Sequence, residues 1–243
     1  KGSFYGSLVS MFVLLVLYAL FLTDVLTDAV EAIFPADNAK AVVFGWLVCA
    51  MLTVNAINST MAAVNVMVED EERRKIKDFT ISPFPAWKLT LSYIIAAVFA
   101  GLIVTLATLL LGFFLVLIFG KTTVGFLSLL ETLPCIIVTV LAVAAITVFA
   151  YSYVKKTAVV SVITMIVGVM IGFLIGAYMP IGQMGKAIRV IIKCVPFTYA
   201  AMYFRAVFLK DVSAAYFDGA PAGVKDGFDE MMGNVIKWGD YTV

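Results

Sequence analysis

Five long apolar runs constrain this chain more than any other feature of its sequence. A helix that crosses a membrane needs about 20 mainly apolar residues, and such runs lie at about 6–23, 41–68, 91–119, 134–154 and 158–179. In lipid each segment must satisfy its own backbone, and no run alternates as a barrel strand would. The sequence therefore predicts an all-α, polytopic membrane helical bundle, with residues 1–243 forming one transmembrane domain.

The composition excludes several other classes of protein. Hydrophobic residues make up 63% of the chain and charged residues 14%, against roughly 45–50% and about 25% in soluble domains. These values exclude an ordinary cytosolic domain, a disordered chain and a nucleic-acid binder. The chain has no His, the commonest general base and zinc ligand, and we predict neither catalytic residues nor a metal site. Its three cysteines are far apart and are expected to be unpaired: Cys49, Cys135 and Cys194.

The basic residues of the short connections predict the orientation in a cell membrane. Eight of them fall on one side, which is expected to be cytoplasmic because positive charge is retained inside: Lys1, Arg73, Arg74, Lys75, Lys77, Lys88, Lys155 and Lys156. The opposite short loops carry only Lys40 and Lys121. The N-terminus is then inside, and residues 180–243 form an extracytoplasmic segment. Within it the apolar spacing from Val224 to Trp238 predicts a helix on the outer leaflet, and we expect a sixth span beyond Val243.

The connection at 69–90 places four acids before a basic run and ends in Pro83 and Pro85. This order predicts a short amphipathic helix, with the pairs Glu71–Lys75 and Arg74–Asp78 at i,i+4 spacing and a proline stop. One interpretation is a solvated loop with Trp87 as an interfacial anchor. The other is a docking helix for a cytoplasmic partner, with Phe79 and Ile81 as its apolar anchors.

The second run carries polar side chains at offsets that place them near one helical face: Asn55, Asn58, Ser59 and Asn65. Amides facing lipid are costly, so this face is expected to point into protein or water. It either makes hydrogen bonds between helices or forms a wall of a substrate path.

Two features of the later runs also predict local structure. Gly168, Gly172 and Gly176 form a doubled GxxxG pattern, which favours close helix packing within the subunit or between subunits. Glu131 precedes Pro134 and is expected on a short outer interfacial helix at 124–133. The alternative for Glu131 is a membrane-buried carboxylate that couples protons.

Three segments together resemble the type-2 ABC exporter permeases, the membrane subunits that pair with a P-loop ATPase. Glu72 to Pro83 is similar to the family's acidic and basic segment between spans two and three. Phe173 to Pro180 resembles the end of its fifth span. Val195 to Arg205 resembles its outer re-entrant hairpin before span six. Order and spacing match over about residues 4–210, whereas the stretch 211–243 is longer than the family pattern and span six is absent.

The resemblance implies a permease that forms a substrate pathway as a homo- or heterodimer. ATP and magnesium would bind only to the partner ATPase, and this chain would bind no cofactor. The resemblance assigns coupling to Glu72, Arg73, Lys77, Asp78, Phe79 and Pro83. It assigns the pathway to Asn55, Asn58 and Ser59, and the outer gate region to Phe197 and Arg205. An ion-coupled secondary transporter and a non-transporting assembly subunit remain the alternatives.

Overall fold

The computed structural model of the protein describes residues 23, 25–28, 30–32, 39–75, 85–119, 124–221, 223–235, 237–238 and 241–242. The first predicted span, 6–23, lies outside these residues apart from Thr23. Within the described part, four helices are long and apolar enough to cross a membrane, or five if one bent pair counts as a span. The predicted polytopic helical bundle is therefore confirmed.

The elements follow the apolar runs in order. The four long helices are α1 (Ala39–Glu72), α2 (Ala86–Phe119), α3 (Phe126–Tyr151) and α4 (Thr157–Leu174). After them come a 3-10 turn (Ile181–Gln183) and four shorter helices: α5 (Lys186–Cys194), α6 (Pro196–Phe208), α7 (Lys210–Tyr216) and α8 (Val224–Met232). Two short strands end the described chain, β1 (Lys237–Trp238) and β2 (Tyr241–Thr242), which pair antiparallel.

Helix α1 is the centre of the bundle. It packs against α2, α3, α4 and α6, and 94% of its most apolar stretch is buried, against 17% for α4. Helix α1 carries more polar side chains than the other three long helices, and polar groups in a membrane protein are kept away from lipid. We call the two ends of the bundle the Ala39 end and the Glu72 end, after the first and last residues of α1.

An aromatic core occupies the Ala39 end. Trp46 of α1 is fully buried there together with Phe204, Phe208 and Phe228 from the later helices. Phe44 also stacks on Phe119, with ring centroids 5.6 Å apart. The segments after α4 therefore fold back onto the beginning of α1.

Helix α3 corrects the prediction of a separate interfacial helix at 124–133. It runs from Phe126 to Tyr151 without a break, so the fourth span begins before Pro134 and Glu131 lies in its second turn. Proline removes one backbone hydrogen bond, yet the helix continues through Pro134, and two side chains near it bond carbonyls of the preceding turn. The Thr132 hydroxyl donates to the Ser128 carbonyl at 2.7 Å, and the Cys135 thiol to the Glu131 carbonyl at 3.3 Å.

Two helices end earlier than their apolar residues predict. Helix α4 ends at Leu174 rather than at 179, because Gly176 adopts a left-handed conformation with φ 72°. The Ala177 N–H then donates to the Gly172 carbonyl at 2.8 Å, which closes the helix. Helix α8 likewise ends at Met232 before Gly233, also at φ 72°. The predicted helix from Val224 to Trp238 is therefore wrong beyond Met232, and Trp238 lies in β1.

Helices α5 and α6 form the bent pair, with an angle of 90° between them at Val195. Pro196 occupies the first turn of α6, where its missing N–H breaks no helical bond. The family resemblance of Val195 to Arg205 implies a re-entrant hairpin here, and a bent pair of this kind is compatible with either a re-entrant loop or a broken span.

Candidate functional site

The Glu72 end carries the charged residues that follow the apolar part of α1. Helix α1 has 34 residues and is about 51 Å long, whereas the hydrocarbon core of a bilayer is about 30 Å thick. At least one end of α1 must therefore leave the apolar layer, and its charged last turn, from Glu69, is the end expected to project. Arg74 ends the helix with a left-handed φ of 58°, a conformation that is costly for a residue with a Cβ.

Polar contacts tie this end of α1 to two other helices. The Tyr93 hydroxyl of α2 donates to the Asp70 carboxylate at 3.0 Å, and the Lys75 ammonium donates to the same group at 2.8 Å. The lysine bond, and then the tyrosine bond, hold the pKa of the Asp70 carboxyl below its usual range. The Glu72 carboxylate accepts the Thr157 backbone N–H at 2.8 Å, at the first residue of α4.

The predicted pair Glu71–Lys75 is wrong. The helix ends at Glu72, and residues 73–75 form a turn in which the Lys75 N–H donates to the Asp70 carbonyl at 3.0 Å. This turn directs the lysine back to Asp70, because i,i+4 spacing brings side chains together only within a helix. Arg73 instead pairs with Glu69 at 2.8 Å.

Only part of the predicted coupling set can be placed. Glu72 is the last residue of α1, and Arg73 begins the turn at 73–75. The other four members of the set lie outside the described residues: Lys77, Asp78, Phe79 and Pro83. The predicted pair Arg74–Asp78 and the predicted anchors Phe79 and Ile81 therefore also lie outside them. The coupling role of the whole set stays a prediction.

The polar face of α1 lies only partly inside the bundle, since Asn55 is buried whereas Asn58, Ser59 and Asn65 are half-buried. The Asn55 amide donates to the Thr108 hydroxyl of α2 at 3.1 Å, and both side chains are buried. The Ser59 and Thr60 hydroxyls donate to carbonyls one turn earlier, those of Asn55 and Ala56. Asn55 thus bonds between helices, the first of the two interpretations given above for this face.

Two other amides on this face have unused acceptors. The carbonyl oxygens of Asn58 and Asn65 are buried and have no hydrogen-bond partner among the described residues. Such a group is costly to leave unpaired. Asn58 faces α4, where a Cβ built on Gly168 would lie 2.8 Å from its oxygen. Gly168 therefore makes room for this amide.

The other two predicted packing glycines also contact side chains. A Cβ on Gly172 would overlap the ring of Tyr178, and one on Gly176 would lie 2.7 Å from Ile181. The three glycines therefore accommodate Asn58, Tyr178 and Ile181 within this chain. Gly176 lies beyond the end of α4, so only the first two belong to the helix.

Arg205 is a buried cation at the Ala39 end, with 1% of its surface exposed. Its guanidinium donates to the carbonyls of Ile175 at 2.9 Å and Gly233 at 3.2 Å, and it lies 4.7 Å from the Trp46 ring centroid. The Trp46 indole donates to the Met232 carbonyl at 3.1 Å. We call these residues the Arg205 cluster.

The sequence singles out Arg205 but not its partners. Trp46 lies 159 positions earlier in an unbroken apolar run, where no local pattern distinguishes it from a lipid-facing residue. Phe197, the other predicted gate residue, is half-buried and packs near the middle of the bundle rather than in this cluster.

The described part of the chain contains no group of three or more acidic, cysteine or histidine side chains arranged to hold a metal ion. The described bundle combines a central helix with a polar face, a charged turn that bonds to neighbouring spans, and an aromatic core at the Ala39 end that contains Arg205. These features define a polytopic membrane protein built around one buried polar helix.

Comparison with known families identifies the class more closely. Residues 31–234 match the family model described as ABC-2 family transporter protein, which covers most of the 243 residues. The chain therefore belongs to this family and is a membrane permease subunit of an ABC transporter. No match was found among curated proteins or among solved structures.

Proposed function

We propose that this permease exports its substrate as a dimer and is driven by a P-loop ATPase that binds the segment 69–90. The contacts of the Glu72 end carry the proposal. Asp70 and Glu72 connect the start of this segment to α2 and α4, through Tyr93 and Thr157. A force applied to the segment would therefore act on three helices together.

The pathway of the proposed exporter follows the polar face of α1. Asn55 is engaged by Thr108, and the Ser59 hydroxyl bonds its own helix. Asn58 is the best placed of the three predicted residues, because its buried oxygen has no partner in the described part of the chain. A substrate donor could pair with it if α1 and α4 separate.

The proposed dimer follows from the family resemblance, and the apolar surface of α4 is one place for its interface. Val162, Met165, Val169 and Met170 are each more than half exposed, although α4 is tied to α1 at one end by Glu72. A second permease subunit would cover this face. Homodimer and heterodimer remain open alternatives.

The first test is co-purification from the native membrane with a tagged, gently solubilised chain. We expect a P-loop ATPase subunit or a fused ATPase domain. A separate subunit should be lost when Asp78 and Phe79 are both changed to Ala. Purification without any ATPase would refute the proposal and would favour the alternative of an ion-coupled secondary transporter.

The second test separates coupling from binding. Glu71 and Glu72 are neighbouring exposed acids, but only the Glu72 side chain holds the Thr157 N–H in the described structure. We expect Glu72→Ala to retain the ATPase yet reduce ATP-driven transport in vesicles. The matched change Glu71→Ala removes the same charge and should leave transport unchanged. Equal losses in the two variants would show that charge alone matters.

A further inference from the structure

A cavity of about 660 Å³ lies between α3 and α6. Helix α3 lines it from Glu131 to Ile146, and α6 lines it from Pro196 to Val207. Val138 and Tyr203 on its walls are 66% and 62% exposed. The cavity is therefore a groove that opens on the outside of the bundle, away from α1. Neither the coupling contacts nor the polar face of α1 uses it.

The dimensions of the groove match a lipid chain. The 15 helical steps from Glu131 to Ile146 correspond to about 22 Å. One leaflet contributes about 15 Å, half of the hydrocarbon thickness of roughly 30 Å. Between the two ends the walls are mainly apolar, with side chains such as Val138, Ala142 and Phe197. The groove is therefore long enough to hold an acyl chain that spans one leaflet.

An acid and a base meet at one end of the groove. The Glu131 carboxylate lies 3.8 Å from the Lys210 ammonium, and the two side chains are 40% and 59% exposed. This separation is longer than a hydrogen bond, so each group retains capacity for a ligand. Asp211 is engaged elsewhere, since it accepts the Gly125 N–H at 3.0 Å and the Ser128 hydroxyl at 2.6 Å.

We propose that this groove binds a zwitterionic phospholipid, with an acyl chain between α3 and α6, its ammonium group on Glu131 and its phosphate on Lys210. If a second copy of the chain filled this apolar groove, the acid and the base at one end would not be explained. A zwitterionic headgroup on an apolar chain matches both features. The site lies apart from the proposed ATPase contact, at the opposite end of α3.

The test uses the full chain in vesicles of phosphatidylglycerol without ATP or ATPase. One sample contains phosphatidylethanolamine with a photoreactive group in its acyl chain, and the other contains phosphatidylglycerol with the same chain. Cross-linked residues are mapped by mass spectrometry. We expect the ethanolamine lipid to label 134–146 more strongly, by up to about five times, the ratio that one partly exposed ion pair supplies.

Matched variants separate headgroup from chain. Glu131→Gln should reduce the labelling ratio to about one. Ala142→Phe fills the groove and should reduce labelling by both lipids, whereas Ala145→Phe, on the same helix but outside the lining, should not. Thermal unfolding of each variant checks its fold.

Three results would overturn the proposal: equal labelling by the two lipids, a ratio that survives Glu131→Gln, or no labelling of 134–146. The last is expected if another protein segment or a second copy covers the groove. Because the assay needs no ATPase, its failure would leave the proposed export function intact, and failure of the export tests would leave this site intact.

Discussion

Arg205 offers the sharpest test of how the Ala39 end is held together. Replacing it with Met removes the charge and leaves two carbonyls, those of Ile175 and Gly233, without their guanidinium donor. The Met232 carbonyl keeps the Trp46 indole. Each orphaned carbonyl costs about 1–3 kcal/mol, and the lost cation–π contact about 2 kcal/mol when desolvated.

The gain from removing the charge opposes these losses. A buried ion costs several kcal/mol in desolvation, and no acidic side chain among the described residues pairs with Arg205 to be left uncompensated. We therefore expect Arg205→Met to lower the free energy of unfolding by only about 2 kcal/mol. Arg205→Lys should cost more, about 3–4 kcal/mol, because it keeps the buried charge but loses the planar fork.

Labelling of Cys49 measures whether Arg205→Lys destabilises the protein more than Arg205→Met does. Cys49 is fully buried one turn after Trp46, and changing Cys135 and Cys194 to Ser leaves it as the only thiol in the sequence. A loss of 2 kcal/mol would raise its labelling rate by a maleimide about 30-fold if labelling follows local opening. The reasoning would be refuted if Cys49 reacted at the unaltered rate in Arg205→Met. It would also be refuted if Cys49 reacted faster in Arg205→Met than in Arg205→Lys. Thermal unfolding in detergent is the parallel measurement.

Two further predictions concern α1. Arg74→Gly should stabilise the end of the helix by about 1 kcal/mol, because glycine adopts the left-handed φ of 58° without strain. Slower hydrogen exchange at residues 71–75 would show this stabilisation. Arg73→Gly is the control and should destabilise the same end of the helix. Asn55→Ala and Thr108→Ala should show a coupling of about 0.6 kcal/mol in a double-mutant cycle of unfolding. Strict additivity of those two changes would contradict the 3.1 Å bond.

The apolar runs predict the long helices well, because burial of apolar residues dominates in lipid and water alike. They predict the ends poorly. Gly176 and Gly233 stop helices although apolar residues continue past them. At Arg74 the same left-handed stop occurs without a glycine, so no local signal marks it. The wrong partner for Lys75 follows directly from that missed stop.

The partners of polar residues depend on tertiary structure. A helical wheel correctly groups Asn55 and Asn58, but it cannot show that one faces Thr108 of α2 and the other Gly168 of α4. The groove between α3 and α6 is equally invisible in sequence, since Glu131 and Lys210 are 79 positions apart. Family resemblance helps with the class but not with these contacts.

Helix α1 also determines how the two ends could communicate. It contains no proline, and its one glycine, Gly45, lies near its start, so the usual causes of a kink are absent from its middle. Between residues 53 and 60, however, the hydroxyls of Thr53, Ser59 and Thr60 bond carbonyls four residues earlier. Such bonds bend helices slightly.

This bendable stretch coincides with the polar face. A displacement of Glu72 by an ATPase would either move α1 as a rod and strain the Arg205 cluster through Trp46, or bend it between residues 53 and 60. In the second case Asn58 would shift against Gly168, which is where its unpaired oxygen lies. We favour the second case, because Trp46 is held by the Met232 carbonyl and the guanidinium, whereas the Asn58 side-chain oxygen has no hydrogen-bond partner among the described residues.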